Sequence, residues 1–401
     1  LLGGSIEEGI SKAVEYQKLQ TDSGEFTKPE SLLTLCESIC RSRGLRDEKL
    51  ESELLMSFGD LYRLQGKFDI ALEKYRSIIE LSDVEPRLLA ETYKDLGDIY
   101  KSRVEFSEGI EALNHALEIY REIGDRLEIS HTMNNMGNMY FINSEYDLAL
   151  EKYREALEIQ EALGATKGVA STLSNMGVAS FVKGSHDTAI RYFERSIELK
   201  KELDDQPEIA RTYNNMAAAY QEMGESGRAL NYLNKAMGVN RKIGAQKELM
   251  FNLENTATIC VGLGKYKRTE EVSAEGLAMA RRLDDTPHQG VFSSLLGLLY
   301  TERGLYGKAL EFLDRSTEVA DKITDKPFTL KVLLLKARSY ILLNAPEAAR
   351  EMLDEARRIA SPIERDCKLI KLKILDANLD YLCNEEPGSV IASLDKIDKE
   401  A

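Results

Sequence analysis

A near-copy of one phrase returns at a period of about 40 residues along this chain of 401 residues, and this periodicity constrains the fold more than any other feature. The segment at 133–159, MNNMGNMYFINSEYDLALEKYREALEI, is echoed at 173–199 by LSNMGVASFVKGSHDTAIRYFERSIEL. A small residue recurs at one fixed place in the copies: Gly97, Gly137, Gly177, Ala217, Ala257, Gly297 and Ala337. Self-similarity at such a period predicts a solenoid, in which each repeat packs only against its neighbours.

Each repeat carries two stretches with the spacing of an amphipathic helix. In the first stretch of the unit at 129–169, Met133, Met136 and Tyr140 recur at helical spacing, and the second stretch has the same period. A short polar link separates them, with Ser144 at the place where other units have Gly66, Gly184, Gly224, Gly264 and Gly304. Glycine suits the left-handed turn between two helices, and the small residue within the first helix suits a close helix crossing. The pattern therefore predicts two antiparallel helices per repeat.

The repeat resembles that of the tetratricopeptide repeat (TPR) family. The family signature is carried by Tyr93, Leu96, Gly97, Tyr100 and Ala116, and it recurs in register in the other units. The resemblance implies an all-α fold, a right-handed superhelical solenoid of antiparallel helix pairs. The usual TPR unit is shorter, with about 34 residues. The longer unit found here resembles that of spindle-orientation adaptors, kinesin light chains and bacterial peptide-sensing regulators, with about one extra turn spread over its two helices.

The repeats divide the chain into three parts. We predict N-terminal helices forming a degenerate repeat or cap at 1–51, eight tandem TPR-like helix pairs at 52–360, and C-terminal degenerate capping helices at 361–401. A self-association surface on the terminal helices is the alternative to a capping role. Cys260, Thr269 and Gly276 depart from the repeat signature. These departures predict local looseness near 251–280.

Asparagine recurs at one repeat position on the first helix of four units: Asn135, Asn175, Asn215 and Asn255. A carboxamide both donates and accepts, so it can pair with the backbone of an extended peptide regardless of sequence. Related long-repeat adaptors use asparagines here in that way, but amides that bridge neighbouring helices would give the same pattern, and the residues leave both readings open. The predicted groove residues are Asn134, Asn135, Asn138, Asn175, Asn214, Asn215, Asn255, Asp95, Asp98, Phe141 and Phe181. Later units are predicted to present Phe292, Leu295 and Leu298, which favours a ligand with apolar anchors at that end.

Composition argues against several other classes of protein. The formal net charge of −15 weighs against nucleic acid as a partner, and no apolar run is long enough to span a bilayer. The five cysteines are few and odd in number, which predicts a reduced, cytoplasmic compartment without structural disulfides. The four histidines fall at unrelated repeat positions, and neither an HExxH motif nor a phosphate-binding loop is present. We therefore expect no metal, no cofactor and no enzymatic activity.

The sequence favours a non-catalytic scaffold that holds a protein or peptide segment in the concave groove of a TPR superhelix. The alternative is a sensor or regulatory input domain of a larger signalling ATPase or transcription regulator. The chain does not begin with Met, which suggests a fragment and keeps that alternative open.

Overall fold

The computed structural model describes residues 27–43 and 48–360, together with Lys12 and Leu375. These residues pack as two compact units, 1–205 and 206–401. The first unit contains α1 (Thr27–Arg43), α2 (Glu48–Leu64), α3 (Phe68–Ile79), α4 (Pro86–Arg103), α5 (Phe106–Ile123), α6 (Arg126–Ile142), α7 (Tyr146–Ala162), α8 (Thr166–Val182) and α9 (His186–Glu202). The second contains α10 (Gln206–Glu222), α11 (Ser226–Ile243), α12 (Gln246–Gly262), α13 (Tyr266–Arg282), α14 (Thr286–Glu302), α15 (Tyr306–Ile323), α16 (Lys326–Leu342) and α17 (Pro346–Ile359).

From α2 onward the helices form antiparallel pairs joined by short turns. We call the first member of each pair an A helix (α2, α4, α6, α8, α10, α12, α14 and α16) and the second a B helix. Within each unit, a B helix packs both on its own A helix and on the A helix that follows it. All regular structure in the described part of the chain is helical. The predicted all-α fold of antiparallel helix pairs is confirmed.

Helix length accounts for the long period of the repeat. In a typical pair, α6 and α7 each have 17 residues and short links follow them, so both helices are longer than the usual TPR unit allows. The first pair differs, because α3 has only 12 residues and the link at 80–85 is longer. A carboxylate holds this link: Glu48 Oε2 accepts from the backbone N of Ser82 at 2.9 Å and of Asp83 at 2.7 Å.

The turns and helix starts follow from local chemistry. Ser144 adopts the left-handed conformation, with φ of 62°, at the position where other pairs have a glycine. Three A helices begin at an aspartate cap, whose Oδ1 atom accepts from the third backbone N–H of the helix. These caps are Asp125, Asp285 and Asp325.

Where the A and B helices of a pair cross, the residues that face each other have complementary sizes. A Cβ atom added to Gly177 would lie 2.4 Å from Cε1 of Phe193 on the partner B helix, so the aromatic ring occupies the space of the missing side chain. Where Ala217 replaces the glycine, the repeat equivalent of Phe193 is the smaller Leu233, and both are buried. The same glycine–aromatic combination recurs in two other pairs, Gly59 with Tyr75 and Gly137 with Tyr153. The small residues of the repeat therefore set how closely the helices approach.

The looseness expected near 251–280 is wrong. Cys260 and Thr269 are fully buried in regular helices. At Gly276 an added Cβ atom would lie 2.2 Å from Cζ of Phe292, so a ring from the next pair fills the space that the missing side chain leaves. The departures from the signature are thus compensated by packing.

The ends of the chain are described only in part. Leu375 is 9% exposed and belongs to the same hydrophobic cluster as Leu333 and Leu353. Most of the two predicted terminal parts, 1–51 and 361–401, lies outside the described residues. Their capping and self-association roles stay predictions.

Candidate peptide-binding face

The predicted site residues all lie on A helices, and neighbouring A helices contact each other within each unit. In the first unit these contacts join α2 to α4, α4 to α6 and α6 to α8; in the second they join α12 to α14 and α14 to α16. We call the half-exposed side of these helices the A-helix face. In the first unit it carries Asp95, Asp98, Asn134, Asn135, Asn138, Phe141, Asn175 and Phe181, and in the second it carries Asn214, Asn215 and Asn255.

The first unit contains a hydrogen-bonded group of amides that joins two A helices. Asn175 Nδ2 on α8 lies 3.3 Å from Oδ1 of Asn134 and 3.3 Å from Oδ1 of Asn138, both on α6. Tyr153 also donates its hydroxyl to Asn138 Oδ1, at 2.7 Å. We call this group the first amide cluster. The structure thus shows the bridging contacts that were one of the two readings of the asparagine pattern.

Two residues that the sequence analysis did not single out complete the first amide cluster. Thr172 Oγ1 lies 2.8 Å from Gln160 Oε1 and 3.2 Å from Asn134 Oδ1. Thr172 and Gln160 are each 1% exposed, so the hydroxyl group and the amide oxygen satisfy each other away from water. The hydroxyl has a single proton, and the shorter distance favours its donation to Gln160.

The same arrangement returns two repeats later, in the second unit. Asn214 Oδ1 accepts from Asn252 Nδ2 at 3.1 Å and from Asn255 Nδ2 at 3.4 Å. Asn240 Nδ2 donates to Asn252 Oδ1 at 2.7 Å, and this bond is buried. We call these four residues the second amide cluster. A polar residue at 160 and 240, and another at 172 and 252, is the sequence signal that would have found the two clusters.

The intervening pair has a different polar core at the corresponding position. Lys200 is 2% exposed, and its Nζ atom donates to Ser174 Oγ at 2.7 Å. Ser174 also shares a hydrogen bond of 2.8 Å with Ser196. The buried contacts of Gln160 and Asn240 therefore join one pair to the next, whereas the buried lysine acts within a single pair, between α8 and α9.

Two asparagines of the A-helix face remain outside both clusters. Asn135 and Asn215 are half-buried, and the side chain of neither forms a hydrogen bond with any described residue. Each lies next to a cluster residue in the sequence, Asn134 and Asn214 respectively. Their carboxamide groups therefore keep both donor and acceptor capacity for a ligand.

The carboxylates at the start of the A-helix face are paired with basic residues. Asp95 is 14% exposed and its Oδ1 atom lies 3.6 Å from Nη2 of Arg63. Asp60 accepts a 2.8 Å hydrogen bond from Tyr75. Burial, with a further contribution from the charge of Asp60, raises the pKa of Asp95 to about 7, and Arg63 partly opposes this rise.

Two further ion pairs continue along this end. Lys101 Nζ lies 2.5 Å from Asp98 Oδ1, and Lys94 Nζ lies 2.6 Å from Glu128 Oε2. A hydrogen bond from His131 and then one from Lys94 lower the pKa of Glu128 to about 2, against the opposing effect of its burial. These carboxylates therefore already have cationic partners within the chain.

The two predicted phenylalanines are half-buried. Phe141 lies against Tyr146 with ring centroids 5.7 Å apart, and Phe181 lies against His186 at 5.5 Å. In each case the partner is the first residue of the following B helix. The rings therefore cover the turn between the two helices and keep only part of their surface for a ligand.

The expectation for the later units is partly wrong. Phe292 is 0% exposed and Leu295 is 3% exposed, because both pack in the hydrophobic cluster with Leu253 and Leu299. Leu298 is half-buried and lines a cavity. Helical spacing alone placed Phe292 and Leu295 on the surface, whereas the neighbouring pairs bury them.

The described residues hold no group of three or more His, Cys, Asp or Glu side chains that could bind a metal ion. Within the same residues, no helix is long and apolar enough to cross a lipid bilayer.

Helix pairs stacked in register at one fixed period define a helical-repeat scaffold. The sequence model of the tetratricopeptide repeat family matches residues 88–162, 168–242 and 290–361, which together are more than half of the chain. The chain therefore belongs to the tetratricopeptide repeat family.

Solved structures of bacterial and archaeal proteins share this fold. The apo form of RapI aligns with a TM-score of 0.65 at 16% identity, covering 87% of this chain and 97% of RapI. A signal transduction ATPase (STAND) with a tetratricopeptide repeat sensor, PH0952 from Pyrococcus horikoshii, aligns with a TM-score of 0.62 at 17% identity, covering 87% of this chain and 52% of that protein. The apo quorum sensor NprR from B. thuringiensis gives 0.56 at 15% identity, covering 88% and 99%. No curated protein sequence matched significantly.

Proposed function

We propose that this chain is a non-catalytic scaffold that holds a protein or peptide segment on its A-helix face. The observation that carries the proposal is the pair of half-buried asparagines without hydrogen bonds, Asn135 and Asn215. Neither carboxamide is among the buried polar atoms that lack a partner, so both can exchange water for the backbone groups of a ligand. The quorum sensor NprR, which has the same fold, is consistent with this function. A cytoplasmic location is part of the same proposal.

The amide clusters support the proposal by fixing the position of the free asparagines. Asn134 and Asn175 hold α6 against α8, and Asn135 lies on the α6 side of this junction. Asn214 and Asn252 hold α10 against α12 in the same manner, next to Asn215. Preorganised donors and acceptors lose little freedom when a ligand binds, which increases affinity. Such amides suit the backbone of an extended peptide, whose N–H and C=O groups are the same in every sequence.

The test is selection of peptides by the intact chain from a random heptapeptide display library. The selected peptides, labelled with fluorescein, are titrated by fluorescence anisotropy against the wild-type chain and the double variant Asn135→Ala/Asn215→Ala. A peptide bound at either asparagine would lose one donor and one acceptor contact of about 1 kcal/mol each, which should weaken its binding roughly tenfold or more. The matched control is Asn231→Ala/Asn234→Ala, two exposed asparagines on the B helix α11.

The proposal predicts weakened binding for the Asn135→Ala/Asn215→Ala variant and unchanged binding for the control. All three proteins should have the same helicity and unfolding midpoint. Equal affinity of the wild-type chain and the Asn135→Ala/Asn215→Ala variant would contradict it. A library that yields no peptide above background would contradict it as well.

A second candidate is a sensor or regulatory arm of a larger signalling protein. The observation that favours it is the shared fold with PH0952, whose sensor is a tetratricopeptide repeat region. A sensor transmits its signal by a shift between two conformations. The ligand causes that shift only when it binds one conformation more tightly than the other. Small-angle X-ray scattering with and without a selected peptide tests this. An unchanged radius of gyration would rule out the shape change and leave the scaffold function.

A further inference from the structure

The junction between the A helices α2 and α4 has carboxyl groups where the junction between α6 and α8 has amides. Asp60 directly follows the small residue of its A helix, as Asn138 does in α6. Asp95 stands two residues before the small residue of α4, as Asn175 does in α8. In the first amide cluster Asn175 donates to Asn138. The pair Asp95 and Asp60 therefore occupies the place of two hydrogen-bonded amides.

The tyrosine of the following B helix makes the same bond at both junctions. Tyr75 on α3 donates its hydroxyl to Asp60 Oδ1 at 2.8 Å. This bond is the counterpart of the one from Tyr153 on α7 to Asn138 Oδ1, at 2.7 Å. The equivalence of Asp60 and Asn138 in the repeat is thus also an equivalence of their surroundings.

A contact between α2 and α4 confirms that the two junctions share one register. Thr92 Oγ1 on α4 lies 3.7 Å from the sulfur atom of Met56 on α2. The equivalent contact between α8 and α6 joins a threonine to Asn134 Oδ1 at 3.2 Å. Of the two amide oxygens that α6 offers to α8, the α2–α4 junction therefore keeps only the counterpart on Asp60.

A single guanidinium group faces both carboxyl groups. Arg63 Nη2 lies 3.4 Å from Asp60 Oδ1 and 3.6 Å from Asp95 Oδ1. The two carboxyl side chains are only 19% and 14% exposed. One positive charge would have to balance two negative charges away from bulk water, which is unfavourable. One proton held between the two carboxyl groups removes the excess charge.

The hydrogen bonds of the cluster place this proton on Asp95. Asp60 Oδ1 already accepts from the Tyr75 hydroxyl and from Arg63. The Asp95 carboxyl group forms no hydrogen bond with a described residue. Burial, and then the charge of Asp60, raise the pKa of Asp95 to about 7, and Arg63 opposes this only in part. A protonated Asp95 can donate to Asp60 as Asn175 donates to Asn138.

Other charged and titratable groups surround Asp95 on every helix that packs against α4. Within the described residues they are Asp60 and Arg63 on α2, Tyr75 on α3, Lys94 and Asp98 on α4, Tyr120 on α5, and Glu128 and His131 on α6. Lys94 is paired with Glu128, and Asp98 is paired with Lys101. Histidine side chains in general take up protons near neutral pH, so His131 needs a control of its own.

We propose that Asp95 and Asp60 share one proton across the α2–α4 junction, and that release of this proton to water loosens α2 from α4. The shared proton provides the hydrogen bond that an amide provides between α8 and α6. The proposal does not depend on peptide binding, because it concerns how the first two A helices are held together.

The direction of the pH effect follows from the two states of Asp95. The folded junction raises the pKa of Asp95 to about 7, whereas an exposed aspartate has a pKa near 4. The stabilising effect of the proton is therefore complete below about pH 4, falls as the pH rises, and is lost above about pH 7. Between about pH 6 and 8, local opening of the junction should increase roughly tenfold.

Amide hydrogen exchange of the intact chain, read by mass spectrometry at about pH 6 and 8, measures this opening. Rates are corrected for the pH dependence of the chemical exchange step. Segments of α2 should exchange roughly tenfold faster at the higher pH. Segments of α8 are the internal comparison, because amides hold α8 to α6 and α8 contains no acidic residue or histidine. In addition, the infrared spectrum at about pH 6 should contain the band of a protonated carboxyl group.

Two variants replace each carboxyl group by the amide that the chain has at the equivalent position. Asp95→Asn should make the exchange of α2 equal at both pH values and remove the infrared band. Asp60→Asn removes the negative charge that helps to hold the proton, so the midpoint of the pH response should move to lower pH. The controls Glu73→Gln, at an exposed carboxylate on α3, and His131→Gln should both keep the wild-type response.

Several results would overturn the proposal. Equal exchange of α2 at the two pH values in the wild-type chain is one, and a response that persists in Asp95→Asn is another. An unshifted midpoint in Asp60→Asn would show that Asp95 binds its proton alone. Loss of the response in His131→Gln would assign it to the histidine. Circular dichroism checks that each variant is folded, and if Asp95→Asn is not, the infrared band and the Asp60→Asn midpoint still decide.

Discussion

Asn175 donates its side-chain amide to Oδ1 of Asn134, 3.3 Å away, although 41 residues separate them in the chain. Asn255 and Asn214 repeat this relationship across the same 41 residues, at 3.4 Å. Each bond joins the A helices of two successive pairs. Of the four periodic asparagines, Asn175 and Asn255 therefore bridge helices, whereas the side chains of Asn135 and Asn215 form no hydrogen bond with a described residue.

Substitution within an amide cluster should cost more stability than substitution beside it. Asn252→Ala removes the acceptor of the buried Asn240 amide and a donor to Asn214. We expect a loss of about 1–3 kcal/mol in the free energy of unfolding, since a buried donor is left unpaired. Asn215→Ala, on the neighbouring A helix, should change the free energy of unfolding by less than about 0.5 kcal/mol. Urea unfolding followed by circular dichroism measures both, and equal losses would show that Asn215 also stabilises the fold.

The stability of the first unit should depend on the protonation of Asp95. Burial raises the pKa of Asp95 to about 7, whereas an unfolded aspartate has a pKa near 4. Between these pH values the folded chain binds the proton more tightly, so the contribution of Asp95 is complete below pH 4 and is lost as the pH rises through 7. Asp95→Asn should remove this loss. Unfolding midpoints from pH 4 to 8 test the prediction, and identical pH profiles of the two proteins would contradict it.

The complementary sizes of Gly177 and Phe193 at their helix crossing should contribute to the free energy of unfolding. Gly177→Ala forces a methyl group to within 2.4 Å of the Phe193 ring, and we expect a loss of about 1–3 kcal/mol from overpacking. Gly238→Ala is the control, because Gly238 lies in α11 with no atom near its missing Cβ, and it should gain about 0.5–1 kcal/mol.

A second-site change should rescue the overpacked variant. Adding Phe193→Leu to Gly177→Ala recreates the combination that the chain has at Ala217 and Leu233, and it should recover part of the loss. Thermal unfolding of the double variant provides the measurement. A double variant less stable than Gly177→Ala alone would show that the ring is needed for other contacts.

Two buried tyrosine hydroxyls should respond differently to removal. The Tyr120 hydroxyl is buried without a hydrogen-bond partner among the described residues, so Tyr120→Phe should leave stability unchanged or slightly increased. The Tyr153 hydroxyl donates to Asn138 at 2.7 Å, so Tyr153→Phe should cost about 1 kcal/mol. Chemical denaturation compares the two variants, and a larger loss at Tyr120 would indicate an ordered water or ligand bound to its hydroxyl.

Much of the fold could be predicted from local patterns. Met133 and Met136 are spaced for one helix face and are buried, and Ser144 takes the left-handed turn expected from its glycine equivalents. The hydrogen bonds of the candidate site were harder to predict from the sequence. Gln160 and Asn240 lie on B helices, away from the asparagine pattern, and they reach the amide clusters only because a B helix packs on the next A helix.

The helix pairs, the small residues at their crossings and the turns are specified locally, because they follow from spacing and backbone preferences within a single repeat. Which amides bond to each other and which do not is visible only in the packed helices, since it depends on side chains 38 or 41 residues apart in the chain. Packing between neighbouring pairs also buries Phe292 and forms the cavity beside Leu335. Identical periodic positions acquire different surroundings when the residues of the neighbouring helix differ in size and polarity.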